Sequence, residues 1–227
     1  MLCAISTTTM KGQGAIGTVV TLSGFILDQQ TLEAVEANYS LIDEAGKKIG
    51  QSHKASVADG YLVTGLQPGK SYTVRVEDPR YFKQEFKFTV PMTEKYAEIS
   101  RDFVVRKMQA GRRIMLMPPP FDLHKTAIKV GTEEDLRETA KLLSMNPGVK
   151  IEIVCYPDDA MPAPKAEQIS TERGNALKAF LESQGINGSR ITVFAVKTTD
   201  PLNPPPLRKG AKGKRYLGPV YLKVTSI

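Results

Sequence analysis

Two periods divide the chain. In the first half, short runs alternate between apolar and polar positions with period two, and turn signals separate them. The runs are 18–27, 37–43, 48–51, 61–64, 71–77, 86–90 and 99–105. Asp59-Gly60 and Pro68-Gly69 mark turns between them, and Glu44 to Lys47 reads as a hairpin turn. About seven short strands at this spacing predict a small antiparallel all-β sandwich of the immunoglobulin or transthyretin type.

After Gly111 the period changes. Residues 113–117, 149–155, 190–196 and 218–224 read as strands, and two segments repeat apolar positions with helical spacing. The first, 132–144, opens on Thr132 as N-cap, carries Glu133 to Asp135 in its first turn, and places Leu136, Ala140 and Leu143 on one face. Asn146-Pro-Gly148 stops it. The second, 168–184, has an apolar stripe of Ile169, Ala176, Leu177, Phe180 and Leu181. The order β-α-β-α-β-β predicts an α/β sandwich with helices on one sheet face, strands 113–117 and 149–155 pairing in parallel across the first helix. The domains expected are a tail at 1–15 (the remnant of an export signal), a β-sandwich at 16–107 and an α/β domain at 108–227.

Arg173 breaks the pattern of the second helix. It lies four residues after Ile169 and four before Leu177, in the middle of the apolar stripe. A guanidinium is always charged and is expensive to bury unpaired, so an anion must meet it. Asp158, where a strand gives way to a loop, is the nearest upstream candidate, with Asp159 and Glu172 as alternatives. One cation and one anion side by side can receive a zwitterion.

Composition narrows the options. The chain has 227 residues, a hydrophobic share of 41% and no apolar run of membrane-spanning length. Its net charge of +7 is concentrated in the second half, largely in the run Arg208 to Arg215. Such a run is read either as a solvated loop or as a contact for an anionic polymer. Cys3 and Cys155 form no disulfide framework and lack metal spacing, and Cys155 reads as a small buried residue at a strand end. His53 and His124 fall in different halves without a nucleophile or metal partner nearby. No phosphate loop or catalytic triad is present, so neither an enzyme, a metal nor a cofactor is expected.

The second half resembles the OmpA-like peptidoglycan-binding domain over about residues 110–227. Phe121-Asp122 matches that family's Phe-Asp before the first helix, and Ile151-Glu-Ile-Val-Cys-Tyr-Pro-Asp158 matches its strand end. Ile169-Ser-Thr-Glu-Arg-Gly174 matches its "Leu-Ser-x-x-Arg-Ala" helix, and Gly185-Ile-Asn-Gly-Ser-Arg-Ile191 the turn that follows. The fifteen-residue spacing from the family's Asp to its Arg is kept between Asp158 and Arg173. The resemblance implies a non-catalytic protein of the cell envelope, in the periplasm and associated with the outer membrane. It would bind the diaminopimelate branch of the peptidoglycan stem peptide, with Asp158 on the ammonium and Arg173 on the carboxylate. Tyr156, Ser170 and Arg215 are the supporting candidates. Other envelope proteins are further partners in this reading, and nucleic acid is not.

The polar surroundings depart from the pattern. Met161 replaces a Gly, Ala166 an Asn that lines the site, and Pro157 a Thr, while Lys214-Arg-Tyr-Leu-Gly218 replaces the usual lead into the last strand. The alternatives are therefore a module that has lost its ligand, or anionic-polymer binding through 208–215. The first half resembles a carboxypeptidase-regulatory-like sandwich through Ser23-Gly-Phe-Ile-Leu-Asp28, Asp59-Gly-Tyr61 and Leu66 to Tyr72. This implies a spacer or adhesion module, as in OmpA family proteins of Bacteroidetes-type bacteria.

Overall fold

The structure, a computed structural model, describes residues 19–159, 161–206 and 215–227. Cys3, the 1–15 tail and all of the basic run except Arg215 lie outside the described residues.

Among the described residues of the first half, nine strands form: β1 Val20–Gly24, β2 Ile26–Asp28, β3 Ala37–Ile42, β4 Lys48–Ala55, β5 Tyr61–Leu66, β6 Ser71–Val76, β7 Gln84–Thr89, β8 Ala97–Ser100 and β9 Phe103–Val105. Alternation sets their inward faces, as in β6, where Tyr72, Val74 and Val76 are buried. The sheets β4-β3-β6-β7 and β5-β1-β8, together with the pair β2-β9, close on one core that includes Val20, Leu22, Tyr39, Tyr61, Val74 and Phe103.

Two expected runs split, which is why nine strands replace seven. The run 18–27 breaks at Gly24, and the run 99–105 breaks opposite it at Arg101 and Asp102. The backbone N–H of Phe25 donates to the Asp102 carboxylate at 2.8 Å, and a side chain at Gly24 would run into the Arg101 carbonyl. These runs also correct the antiparallel expectation, since β1 pairs with β8, and β2 with β9, in parallel. Strand direction between partners some 75 residues apart is set by tertiary packing, and period-two alternation carries no trace of it.

The second half runs β10 Arg113–Met115, α1 Glu133–Met145, β11 Lys150–Cys155, α2 Ala163–Ser183, β12 Ile191–Ala195 and β13 Val220–Ser226, with a 3-10 turn at Gly188–Arg190. The sheet order is β10-β13-β11-β12. The predicted pairing of 113–117 with 149–155 does not occur, because the C-terminal strand lies between them, antiparallel to both. The parallel neighbour of β11 is β12. Helix α2 starts five residues before the expected Gln168. Pro164 sits in its first turn, where a missing N–H costs nothing. Thr132 precedes α1 but makes no side-chain cap, donating its hydroxyl to the Lys129 carbonyl at 2.7 Å.

The halves are tied across their border. Phe82, 1% exposed, packs into the core of the second half with Leu143, Val149 and Ile151. Beside it, the Lys83 N–H donates to the Asn146 side-chain carbonyl at 2.9 Å, and the Asn146 amide returns a bond to the Lys83 carbonyl at 3.1 Å.

Candidate functional site

Strand β11 alternates Ile151, Ile153 and Cys155 toward the helices, then runs out through Pro157 to Asp158. Helix α2 crosses β11 and β12 and turns Ile169, Arg173 and Leu177 onto the sheet, as the helical period requires. Gly174 permits that close approach, because a side chain there would run into Val193.

Arg173 and Asp158 meet as a fork, both side chains 0% exposed. Nη1 donates to Oδ1 at 2.9 Å and Nη2 to Oδ2 at 3.0 Å. The rest of the guanidinium is held by backbone, with Nε on the Lys125 carbonyl at 2.9 Å and Nη2 on the Asp122 carbonyl at 3.0 Å. The Phe121 ring lies 5.3 Å from the guanidinium carbon. Asp158 accepts two further backbone bonds, from Gly218 N–H to Oδ1 at 2.9 Å and from His124 N–H to Oδ2 at 2.7 Å. With four bonds accepted, the carboxylate is saturated.

The surroundings hold Asp158 ionised. Burial pushes its pKa up, but the Arg173 bonds and the Gly218 and His124 N–H groups outweigh it, and the net shift is downward. Gly218 is required, since a side chain there would strike the Tyr156 and Pro157 carbonyls and force its N–H away from Asp158. His124 adopts the left-handed conformation (φ 59°), and its Nδ1 stands 3.4 Å from Oδ2 with the side chain half-exposed. Cys155 is buried beside the pair, and burial pushes its thiol up to about 12, which keeps it protonated and inert.

The supporting candidates are distributed differently. Ser170 is fully buried on α2, one turn before Arg173. Tyr156 is not brought to the pair. It lies on the opposite sheet face, edge-on to Tyr221 with ring centroids 5.9 Å apart, and its hydroxyl accepts from Arg113 at 3.3 Å. Arg215 is exposed.

Residues to which the sequence assigned no part in holding the pair complete the site. Asp122 and Lys125 act through backbone carbonyls, which leave no mark on residue type, and only Phe121-Asp122 carried a signal. Asp200 is 0% exposed and accepts from the Tyr221 hydroxyl, the Asn203 amide at 3.1 Å and the Leu202 N–H at 3.0 Å. Its own N–H donates to the Tyr216 hydroxyl at 3.3 Å, and the Tyr216 backbone carbonyl accepts from the Asp159 N–H at 3.4 Å. This cluster anchors the segment that carries Gly218 to the pair.

The second half is thus an α/β sandwich with a buried acid–base pair where β11 meets α2. Residues 120–214 match the OmpA family, and this region is an OmpA family domain. Three solved structures are similar to the chain at low identity. The peptidoglycan-associated lipoprotein from Burkholderia pseudomallei is 14% identical, covering 50% of this chain and 88% of that one, with a TM-score of 0.37. The OmpA-like domain of FopA1 from Francisella tularensis subsp. tularensis SCHU S4 is 10% identical over 53% and 86%, with a TM-score of 0.37. The periplasmic domain of Helicobacter pylori MotB is 12% identical over 68% and 82%, with a TM-score of 0.40. A stretch of 163 residues is 26% identical to the photosystem I P700 chlorophyll a apoprotein A2 of Gloeobacter violaceus, covering 70% of this chain but only 18% of that protein. Among the described residues no helix is long and apolar enough to cross a membrane.

Proposed function

We propose that the chain is a non-catalytic cell-envelope protein whose second domain, residues 108–227, binds peptidoglycan. In this reading the diaminopimelate zwitterion of the stem peptide is received at Asp158 and Arg173. The supporting observation is that both partners of the fork keep backbone bonds independent of each other. If the fork opens, Arg173 retains the Asp122 and Lys125 carbonyls, and Asp158 retains the Gly218 and His124 N–H groups. An entering zwitterion then replaces one ion pair by two, with its carboxylate on Arg173 and its ammonium on Asp158, and no charge stays buried alone. The family match over 120–214 encloses both residues. The first domain, residues 16–107, serves in this reading as a spacer or adhesion module of the carboxypeptidase-regulatory-like type.

The test is retention on purified sacculi. The full chain is expected on sacculi of the diaminopimelate type and not on those with lysine at that position, and free diaminopimelate should release it. Equal retention on both types, or none, would refute the zwitterion reading.

The saturation of Asp158 favours a second reading, in which the pair is a structural clamp and the ligand function is lost. Ala166 and Met161, in place of polar or small residues, agree with it. This reading predicts no shift in melting temperature with diaminopimelate.

A further inference from the structure

Among the described residues two buried side-chain oxygens have no hydrogen-bonding partner, the hydroxyls of Ser40 and Ser170. Ser40 lies on β3 in the other half of the molecule. Ser170 is 0% exposed and stands three residues before Arg173 on α2, so the two side chains leave the helix on one face.

A helical serine or threonine ordinarily satisfies its hydroxyl on the preceding turn. Thr171 does so, donating to the Glu167 carbonyl at 2.8 Å, whereas Ser170 makes no such bond. One turn earlier the buried residue is Ala166, which offers no polar atom. A buried hydroxyl without a partner is destabilising, and Ala at this position would remove the penalty and favour the helix. Among the described residues, the hydroxyl is thus left available to a group that enters from outside the chain.

We infer that Ser170 is a further ligand-binding residue of the site, its hydroxyl donating to the carboxylate that Arg173 receives when the fork opens. The inference rests on the zwitterion reading above. A carboxylate offers about four acceptor positions, and Arg173 cannot fill them while Nε and one Nη2 hydrogen stay on the Lys125 and Asp122 carbonyls. Ser170 supplies the additional donor from the same helix face. Its role is to recognise the carboxylate, and with it to discriminate against amines that lack one.

The experiment uses the full chain, isothermal calorimetry and thermal melting, with meso-diaminopimelate and, as a probe without carboxylates, cadaverine. Ser170→Ala is expected to melt no lower than wild type in the absence of ligand, because it deletes an unpaired hydroxyl. It should bind diaminopimelate about tenfold more weakly or worse, and leave the cadaverine response unchanged. Ser170→Cys, which keeps the volume with a poor donor, should behave like Ser170→Ala. Wild-type affinity in Ser170→Ala, or a lower ligand-free melting temperature, overturns the assignment and leaves the zwitterion reading standing. Absence of any diaminopimelate response in the wild type overturns both.

Discussion

Replacing Arg173 by Met keeps the aliphatic reach of the side chain along α2 but removes the charge that Asp158 faces. The carboxylate then stays 0% exposed with only the Gly218 and His124 N–H groups, and the Asp122 and Lys125 carbonyls lose their donor. Removing one partner of a fully buried pair costs about 3–5 kcal/mol, because it strands the other charge. For a chain of 227 residues that corresponds to a fall in melting temperature of about 6–20 °C. Asp158→Ala should cost a similar amount. The double variant Asp158→Ala/Arg173→Met should cost less than the two singles added together, with a coupling energy of at least about 2 kcal/mol, since no lone charge remains. The assay is a urea and thermal double-mutant cycle followed by near-ultraviolet circular dichroism of the tyrosines, because the chain has no Trp and Tyr156, Tyr216 and Tyr221 lie in the second half. A loss below about 1 kcal/mol for Arg173→Met, or strict additivity, would refute the claim that the fork is buried and saturated.

Further outcomes follow from the same geometry. Phe82→Ala should destabilise the second half by about 3–5 kcal/mol although it lies in the first, and its urea midpoint measured by hydrogen exchange in β11 and β13 reports this; an effect confined to the first half would contradict the shared border. The folded pKa of Asp158 is depressed, so its contribution is complete above its unfolded pKa of about 3.9 and is lost as pH falls through and below that value. Wild type should therefore lose more stability than Asp158→Asn between pH 5 and 2, and parallel acid titrations would contradict the assignment. Gly218→Ala should separate Gly218 from the Tyr156 and Pro157 carbonyls, withdraw its N–H from Asp158 and lower the melting temperature; an unchanged melting curve would show that the close approach is not required.

The charge on the stripe of α2 was legible because a helix has a fixed period, and Arg173 fell where only apolar residues belong. Asp158 was legible as one of three carboxylates that could meet it, and the resemblance to the OmpA-like domain singled it out. The backbone groups that complete the pair were not, since every residue has a carbonyl and an N–H, and only folding decides which ones converge. Tyr156 shows the opposite failure. It is two residues from Asp158 in the chain, yet alternation sets it on the face opposite Ile153 and Cys155, against Tyr221. Asp158 lies beyond the end of β11, where the chain leaves the strand and the period no longer holds.

By itself the sequence determined which segments form helices and strands, which face of each is apolar, and that a charge is buried on α2, because these follow from local periodicity and the cost of desolvation. Only the tertiary structure decided that β13 lies between β10 and β11, that Phe82 completes the core of the other half, and that Asp158 is saturated while Ser170 is not. Those outcomes depend on contacts between residues far apart in the chain, where loop closure and packing choose among pairings that the local pattern leaves equal.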